Sequence, residues 1–172
     1  LSSCIYNPEV IIPVTMFVGG PPEPHFNFEG GDPSSPIWTT YIGGATLEEN
    51  DLEAGDEIAI FDGDLLVGAF TLDQVCTMDN AFDNDLTAFS VLNTQAGYQA
   101  GNVFTFKCWD ASEQEESEFF AYQFFDPYGD AYMGDVFPTG DGEYSIIDLD
   151  FYFCPHSHNL SYGYQFISSN ID

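Results

Sequence analysis

Apolar and polar residues alternate with a period of two along most of the chain. In "YSIIDLDFYF", Ile147, Leu149, Phe151 and Phe153 point one way, and Tyr144, Ile146, Asp148, Asp150 and Tyr152 point the other. That is a half-buried strand with carboxylates on its wet face. "NVFTFKCWD" repeats the pattern, with Phe104, Phe106 and Cys108 on one face and Val103, Thr105, Lys107 and Trp109 on the other. Further strands are predicted at 9–18, 37–42, 56–61, 64–72, 86–92, 118–125 and 162–168, with Gly, Pro, Asn and Asp clustered between them. The best helical candidate is a short one near 79–84. Roughly nine or ten short strands separated by turn signals predict an all-β antiparallel β-sandwich, jelly-roll or Ig-like.

The same pass divides the chain into three parts. Residues 1–20 read as an N-terminal strand-like arm whose apolar positions are Val10, Ile11, Ile12, Val14, Met16, Phe17 and Val18. Residues 21–36 read as a Pro/Gly-rich linker or loop, and residues 37–172 as the sandwich. An exposed apolar strand must pair. It either returns as an edge strand of its own sandwich or enters a neighbouring copy as a donor strand. Head-to-tail donation does not close and builds a filament. Within the sandwich, Asp62-Gly63 between "IAIF" and "LLVGAF" is a hairpin signal, read as a type I′ turn.

Charge sharpens the picture. The net charge of −28 comes from 29 acids against one base, Lys107. Hydrophobic content of 44% and aromatic content of 17% support a packed core, which separates this chain from disordered acidic sequences. The anomaly is the missing bases, because unpaired repulsion opposes compaction. External cations are therefore expected, Ca²⁺ first. Nucleic acid and anionic membrane surfaces are excluded as partners, since no basic patch exists to release counterions.

Calcium takes several oxygen ligands from carboxylates and carbonyls. Acidic loops offer them at Asp62 and Asp64; at Asp79, Asn80, Asp83, Asn84 and Asp85; at Asp126, Asp130 and Asp135; and at Asp141 and Glu143. "EENDLEAGDE" adds Glu48, Glu49, Asp51, Glu53, Asp56 and Glu57 just ahead of the hairpin. None matches an EF-hand.

Cysteines occur at 4, 76, 108 and 154, with no CxxC pair. Such spacing suggests two disulfides and an oxidising compartment, Cys76–Cys108 with Cys4–Cys154 being favoured; free buried thiols are the alternative. No apolar run reaches the length of a membrane span. A chain starting at Leu1 is consistent with a signal peptide already removed, so an extracellular or cell-surface location is expected.

"LEAGDEIAIFDGDLLVGAF", followed later by "GYQAGNVFTFKCWDAS", resembles a β-sandwich module of large secreted and surface proteins of Bacteroidetes-type bacteria. The matching positions are Gly55, Asp56, Glu57, Ile58, Phe61, Asp62, Gly63, Val67, Gly68 and Ala69, then Gly101, Asn102, Phe106, Trp109 and Asp110. They span roughly residues 38 to 125 and are mostly turn and core residues. The resemblance implies an extracellular adhesion or carbohydrate-related context, and carries over no catalytic residues. The scarcity of lysine and the N-terminal arm depart from that pattern.

Other constellations are less specific. "CPHSH" places His156 and His158 on one face of an extended chain, a transition-metal geometry or simply a polar loop; His25 stands apart. No Ser-His-Asp order or G-x-S-x-G elbow is visible. Asp148 and Asp150 have glycosidase-like spacing, but so many acids make such pairs by chance, and the chain is read as non-enzymatic. Trp38, Tyr41 and Trp109 are a candidate sugar platform, and Asn159-Leu160-Ser161 matches a glycosylation acceptor. The expected function is a structural subunit of an extracellular filament or surface polymer, made of copies of this chain joined by β-strand exchange and stabilised by Ca²⁺ and disulfides. The alternative is a Ca²⁺-dependent carbohydrate-binding or adhesion module, with a polysaccharide as partner.

Overall fold

The computed structural model describes residues 23–117 and 119–153 and the strand at 165–166. The arm residues Val10 to Val18, the pair Cys4 and Cys154, the histidines His156 and His158, and the Asn159 acceptor lie outside the described residues.

Among the described residues, ten strands form two sheets. They are β1 (Ile37–Leu47), β2 (Asn50–Asp51), β3 (Glu57–Asp62), β4 (Leu65–Thr71), β5 (Asp85–Phe89), β6 (Phe104–Asp110), β7 (Glu115–Ser117), β8 (Phe119–Phe125), β9 (Glu143–Tyr152) and β10 (Gln165–Phe166). A 3₁₀ helix, Met78–Asp83, replaces the short helix read from the sequence and packs on β1. The large sheet runs β10-β8-β9-β1-β2, with β5 also pairing β1; the small sheet runs β4-β3-β6-β7. The all-β sandwich is therefore the fold.

Its strand directions depart from the antiparallel reading at one place. β1 and β9 pair in parallel from Trp38↔Glu143 to Leu47↔Phe151, around a bulge at Gly43. Alternation records which face a residue takes but not which way its neighbour runs. At the bulge, Met78 Sδ and Asp148 Oδ1 cover Gly43 and leave no room for a side chain.

The core fills the gap between the sheets. Trp38, Ile42, Ile58, Ile60, Phe104, Phe106, Phe137, Ile147 and Phe151 are fully buried there. Along β6, Phe104, Phe106 and Cys108 turn inward while Thr105, Lys107 and Trp109 stay half-buried outside, as the alternation predicts. Along β9 the outer face is less wet than expected: Ile146 and Tyr152 are also buried, and Phe153 is exposed. On one side the sandwich is nearly closed, since Gly68 of β4 lies against the Thr87 carbonyl of β5 too tightly to admit a Cβ. On the other side the chain crosses between sheets from β7 to β8. There the Ser117 hydroxyl donates to the Tyr152 carbonyl at 2.5 Å.

One turn differs from expectation, and a second was not foreseen. The β3–β4 loop is Gly63-Asp64, and only Gly63 has positive φ (60°). Glycine first is the demand of a type II′ turn, so Asp62 ends the strand instead of making a type I′ turn. The hairpin with positive φ at both loop positions is β1–β2, at Glu48 (50°) and Glu49 (68°).

Residues 23–28 are not a free tether. They form a strap across the outer face of the small sheet. Glu57, buried in β3, accepts the backbone N–H groups of His25 (2.7 Å) and Phe26 (2.9 Å). The His25 ring stacks on Trp109 at 3.8 Å, and Phe26 meets Phe61 edge-on. A Gly31↔Leu92 bridge and the Asp32–Ser35 turn then lead into β1.

Candidate functional site

The carboxylates of the predicted loops do not converge. Among the described residues no three His, Cys, Asp or Glu side chains form a group able to hold one ion. Most of those that pair do so with backbone amides, which take the place of the missing lysines and arginines. Asp62 accepts the Gln99 amide (2.8 Å) and the Asn102 side chain (2.8 and 3.0 Å). Asp126 Oδ1 accepts the amides of Gly129, Asp130 and Ala131. Those bonds, from Ala131 foremost, hold its carboxyl below the usual range. Asp32 is lowered in the same way by the Ser34 hydroxyl and amide. At Asp110 burial acts to raise the value, but amides of Glu113 and Ser112 and the Ser112 hydroxyl bring it below. Asp130 accepts the Tyr144 hydroxyl, which pushes that phenol to about 12.

In the densest stretch, Asn80 binds Thr77, and Asn84 reaches back to Asn80 and to the Ile42 carbonyl. Asp79, Asp83 and Asp85 are exposed around that network, as are Asp64 and Asp135 in their own loops. The amide side chains organise the helix, and the acids point to solvent.

An acidic concavity lies elsewhere. A cleft of about 400 Å³ opens between the β1–β2 hairpin and the β6–β7 turn, with Glu48, Asp51, Glu53, Asp56, Asp110 and Glu113 in its lining. Asp56, 6% exposed, joins the two walls: it accepts the Glu53 amide at 2.7 Å and the Ala111 amide at 2.9 Å. Glu48 accepts the Phe153 amide at 2.9 Å. Asp51, Glu53 and Glu113 are exposed at the rim. The cleft concentrates negative potential, and cations would gather in it. A second, smaller cleft of about 200 Å³ is lined by amides and hydroxyls, Asn27, Asn93, Thr94 and Gln95, with Phe28, Leu65 and Leu66 beside them.

Comparison of the chain with family models, curated proteins and solved structures finds no match. The site must be read from its own chemistry.

The sugar platform is dismantled by the fold. Trp38 is fully buried, its indole N–H donating to Ser145 Oγ at 3.0 Å, and it packs on Phe104 and Phe137. Tyr41 sits on the other side of β1, against Phe82 and Tyr144. Trp109 lies on the small sheet with its face under His25. The three rings cannot share a ligand, because the alternation along β1 puts Trp38 inward and β6 belongs to the opposite layer.

The Cys76–Cys108 bridge is likewise corrected: both are buried free thiols. Cys108 stands in β6, between Ile58 and Ser117, whereas Cys76 precedes the 3₁₀ helix that packs on β1 of the other sheet. Burial pushes the thiols to about 12 and about 11 respectively, so neither is a ready nucleophile.

Asp148 and Asp150 do share the outer face of β9. Burial, then the neighbouring Asp150, raises the Asp148 carboxyl, and its Oδ1 has no hydrogen-bond partner among the described residues. Asp150 accepts the Thr46 hydroxyl at 2.7 Å. The pair lines neither cleft.

Sequence reading missed the strap and its latch. Glu116 of β7 accepts from His25 Nε2 (2.8 Å) and from Lys107 Nζ (3.0 Å), so the only lysine and a histidine share one carboxylate. Burial acts to raise Glu116, but those two donors bring it below the usual range. Lys107 also lies 5.4 Å from the Phe61 ring centre. No local signal marks the strap in the sequence, because it depends on His25 and Phe26 meeting Trp109 and Phe61, which are distant in the chain.

Proposed function

We propose that this is a non-catalytic structural module of an extracellular filament or surface polymer. In this reading copies of the chain join by pairing the apolar arm at residues 10–18 with the outer side of β8 in a neighbour, beside the short β10. The observation that carries the reading is the edge itself. β8, "FFAYQFF", pairs with β9 along its whole length. Among the described residues its outer side meets only Gln165 and Phe166, opposite Tyr122 and Ala121. An apolar edge strand covered over two residues is a template for another strand. The latch of His25 to Glu116 on β7, the strand that leads directly into β8, supports this reading.

Cations complete the reading. Ca²⁺ collected by the acidic cleft and the exposed loop acids offsets repulsion between neighbours of net charge −28. The disulfide part of the reading rests on Cys4–Cys154 alone. The resemblance to Bacteroidetes-type surface modules agrees with this setting. A carbohydrate-binding or adhesion role is the second reading, favoured by the amide-lined cleft of Asn27, Asn93, Thr94 and Gln95.

Negative-stain microscopy of the full chain in Ca²⁺ tests the proposal. Polymers that Ile12→Lys with Val14→Lys abolishes, and that EDTA loosens, are the expected result. Particles that remain monomeric and are retained on a polysaccharide gel would instead favour adhesion.

A further inference from the structure

The strand order has a mechanical consequence. Among the described residues β1 is the first long strand of the sandwich and β9 the last, and they lie side by side in parallel. Tension applied through the chain ends pulls β1 backwards from Ile37 and β9 forwards from Tyr152. The two forces are opposed, run along the strands, and act at opposite ends of one ladder of nine residue pairs. In that geometry the pairs bear load together. Were the strands antiparallel neighbours joined by a hairpin, the same tension would open them one pair at a time.

The surroundings strengthen the ladder. β1 is held on its other side by β5, from Ile37↔Phe89 to Tyr41↔Asp85. β9 is held on its other side by β8, from Phe119↔Tyr152 to Phe125↔Ile146. Neither strand can slide without breaking its second ladder. Trp38, Ile42, Ile147 and Phe151 anchor both strands in the dry core. Among the described residues, those outside the ladder toward the chain ends are attached lightly by comparison. The strap is held by side-chain contacts of Glu57, Trp109 and Glu116, and β10 by two residue pairs. These peel first and pass the load to β1 and β9.

We propose that the domain is a force-bearing module whose mechanical clamp is the parallel β1–β9 ladder. This function stands apart from strand exchange, since a single chain suffices for it.

Single-molecule stretching of the full chain tests it, because forced unfolding reads the unfolding barrier along the direction pulled. Cys4 and Cys154 are replaced by serine in every arm, so that no bond between them can shunt the load. One arm pulls from the two chain ends and shears the clamp. The other pulls from the N-terminal end and a cysteine introduced at the exposed Thr139 (T139C), just ahead of β9. That handle loads the ladder from its Trp38↔Glu143 end and unzips it. The expected result is a shift to clearly higher unfolding force for end-to-end pulling. A second handle at Asp141 (D141C) repeats the unzipping geometry should the first disturb folding. Equal forces in the two directions, with either handle, would overturn the proposal. So would end-to-end unfolding at forces no higher than those that detach the strap.

Discussion

Glu57 holds Phe26 by its main chain: one carboxylate oxygen accepts the Phe26 amide at 2.9 Å while the other accepts that of His25 at 2.7 Å. Glu57 is 5% exposed, and the two groups its carboxylate accepts from are uncharged backbone amides. Two parallel N–H donors supply the compensation that burial of a carboxylate demands.

Glu57→Gln replaces one acceptor by an amide donor facing an N–H. A buried donor left without a partner costs about 1–3 kcal/mol. The variant should lose that much stability in denaturant titration and free the strap. Acrylamide quenching checks the second effect. The chain has two tryptophans, and Trp38 is fully buried, so added quenching reports Trp109 losing its His25 cover.

Glu49 carries φ of 68° without being glycine. Left-handed backbone costs an ordinary residue roughly 1–2 kcal/mol. Glu49→Gly should therefore stabilise the domain, by somewhat less than that because glycine gains entropy when unfolded. Glu48, whose carboxylate accepts the Phe153 amide, is the contrasting position: Glu48→Gly trades strain for a lost hydrogen bond and should gain less. Thermal melts of the two variants measure the difference.

Asp148 supplies the pH prediction. Its folded-state carboxyl is raised, by burial first and Asp150 second, so folding favours the protonated form. The penalty is absent below the ordinary carboxylate range and grows as pH rises through the raised value. Asp148→Asn should raise the melting temperature at pH 7, by an effect worth at most about 1 kcal/mol after solvent screening. The gain should vanish near pH 3. Asp110 has the opposite sign: its lowered carboxyl contributes stability above the ordinary range that is lost as pH falls.

Much of the fold was legible because alternation is a local signal. β6 and β9 show it in consecutive residues, and their inward sets, Phe104 to Cys108 and Ile147 to Phe151, are those that the core buries. What stayed hidden depends on partners distant in the chain. Nothing near Trp38 tells that its face meets Phe104 and Ser145 instead of solvent. Nothing in Glu48-Glu49 resembles the Asn-Gly of a type I′ turn. The partners of the acidic loops stayed hidden for a related reason. Counting lysines and arginines overlooks the amide donors that every residue carries except proline. Asp32-x-Ser34 and Asp110-x-Ser112, each an Asx turn in which the acid accepts the amide two residues on, were the local clues to this use of carboxylates.

Lys107 has a consequence beyond the latch it shares with His25. Trypsin-like proteases need a basic residue before the scissile bond, and this chain offers them one. That single bond lies inside β6, with β3 paired along one flank and β7 beginning at the next residue along the other. Digestion must await an excursion that frees the strand. In an environment rich in such enzymes the domain would persist intact, and its rare cleavage would count how often the small sheet comes apart.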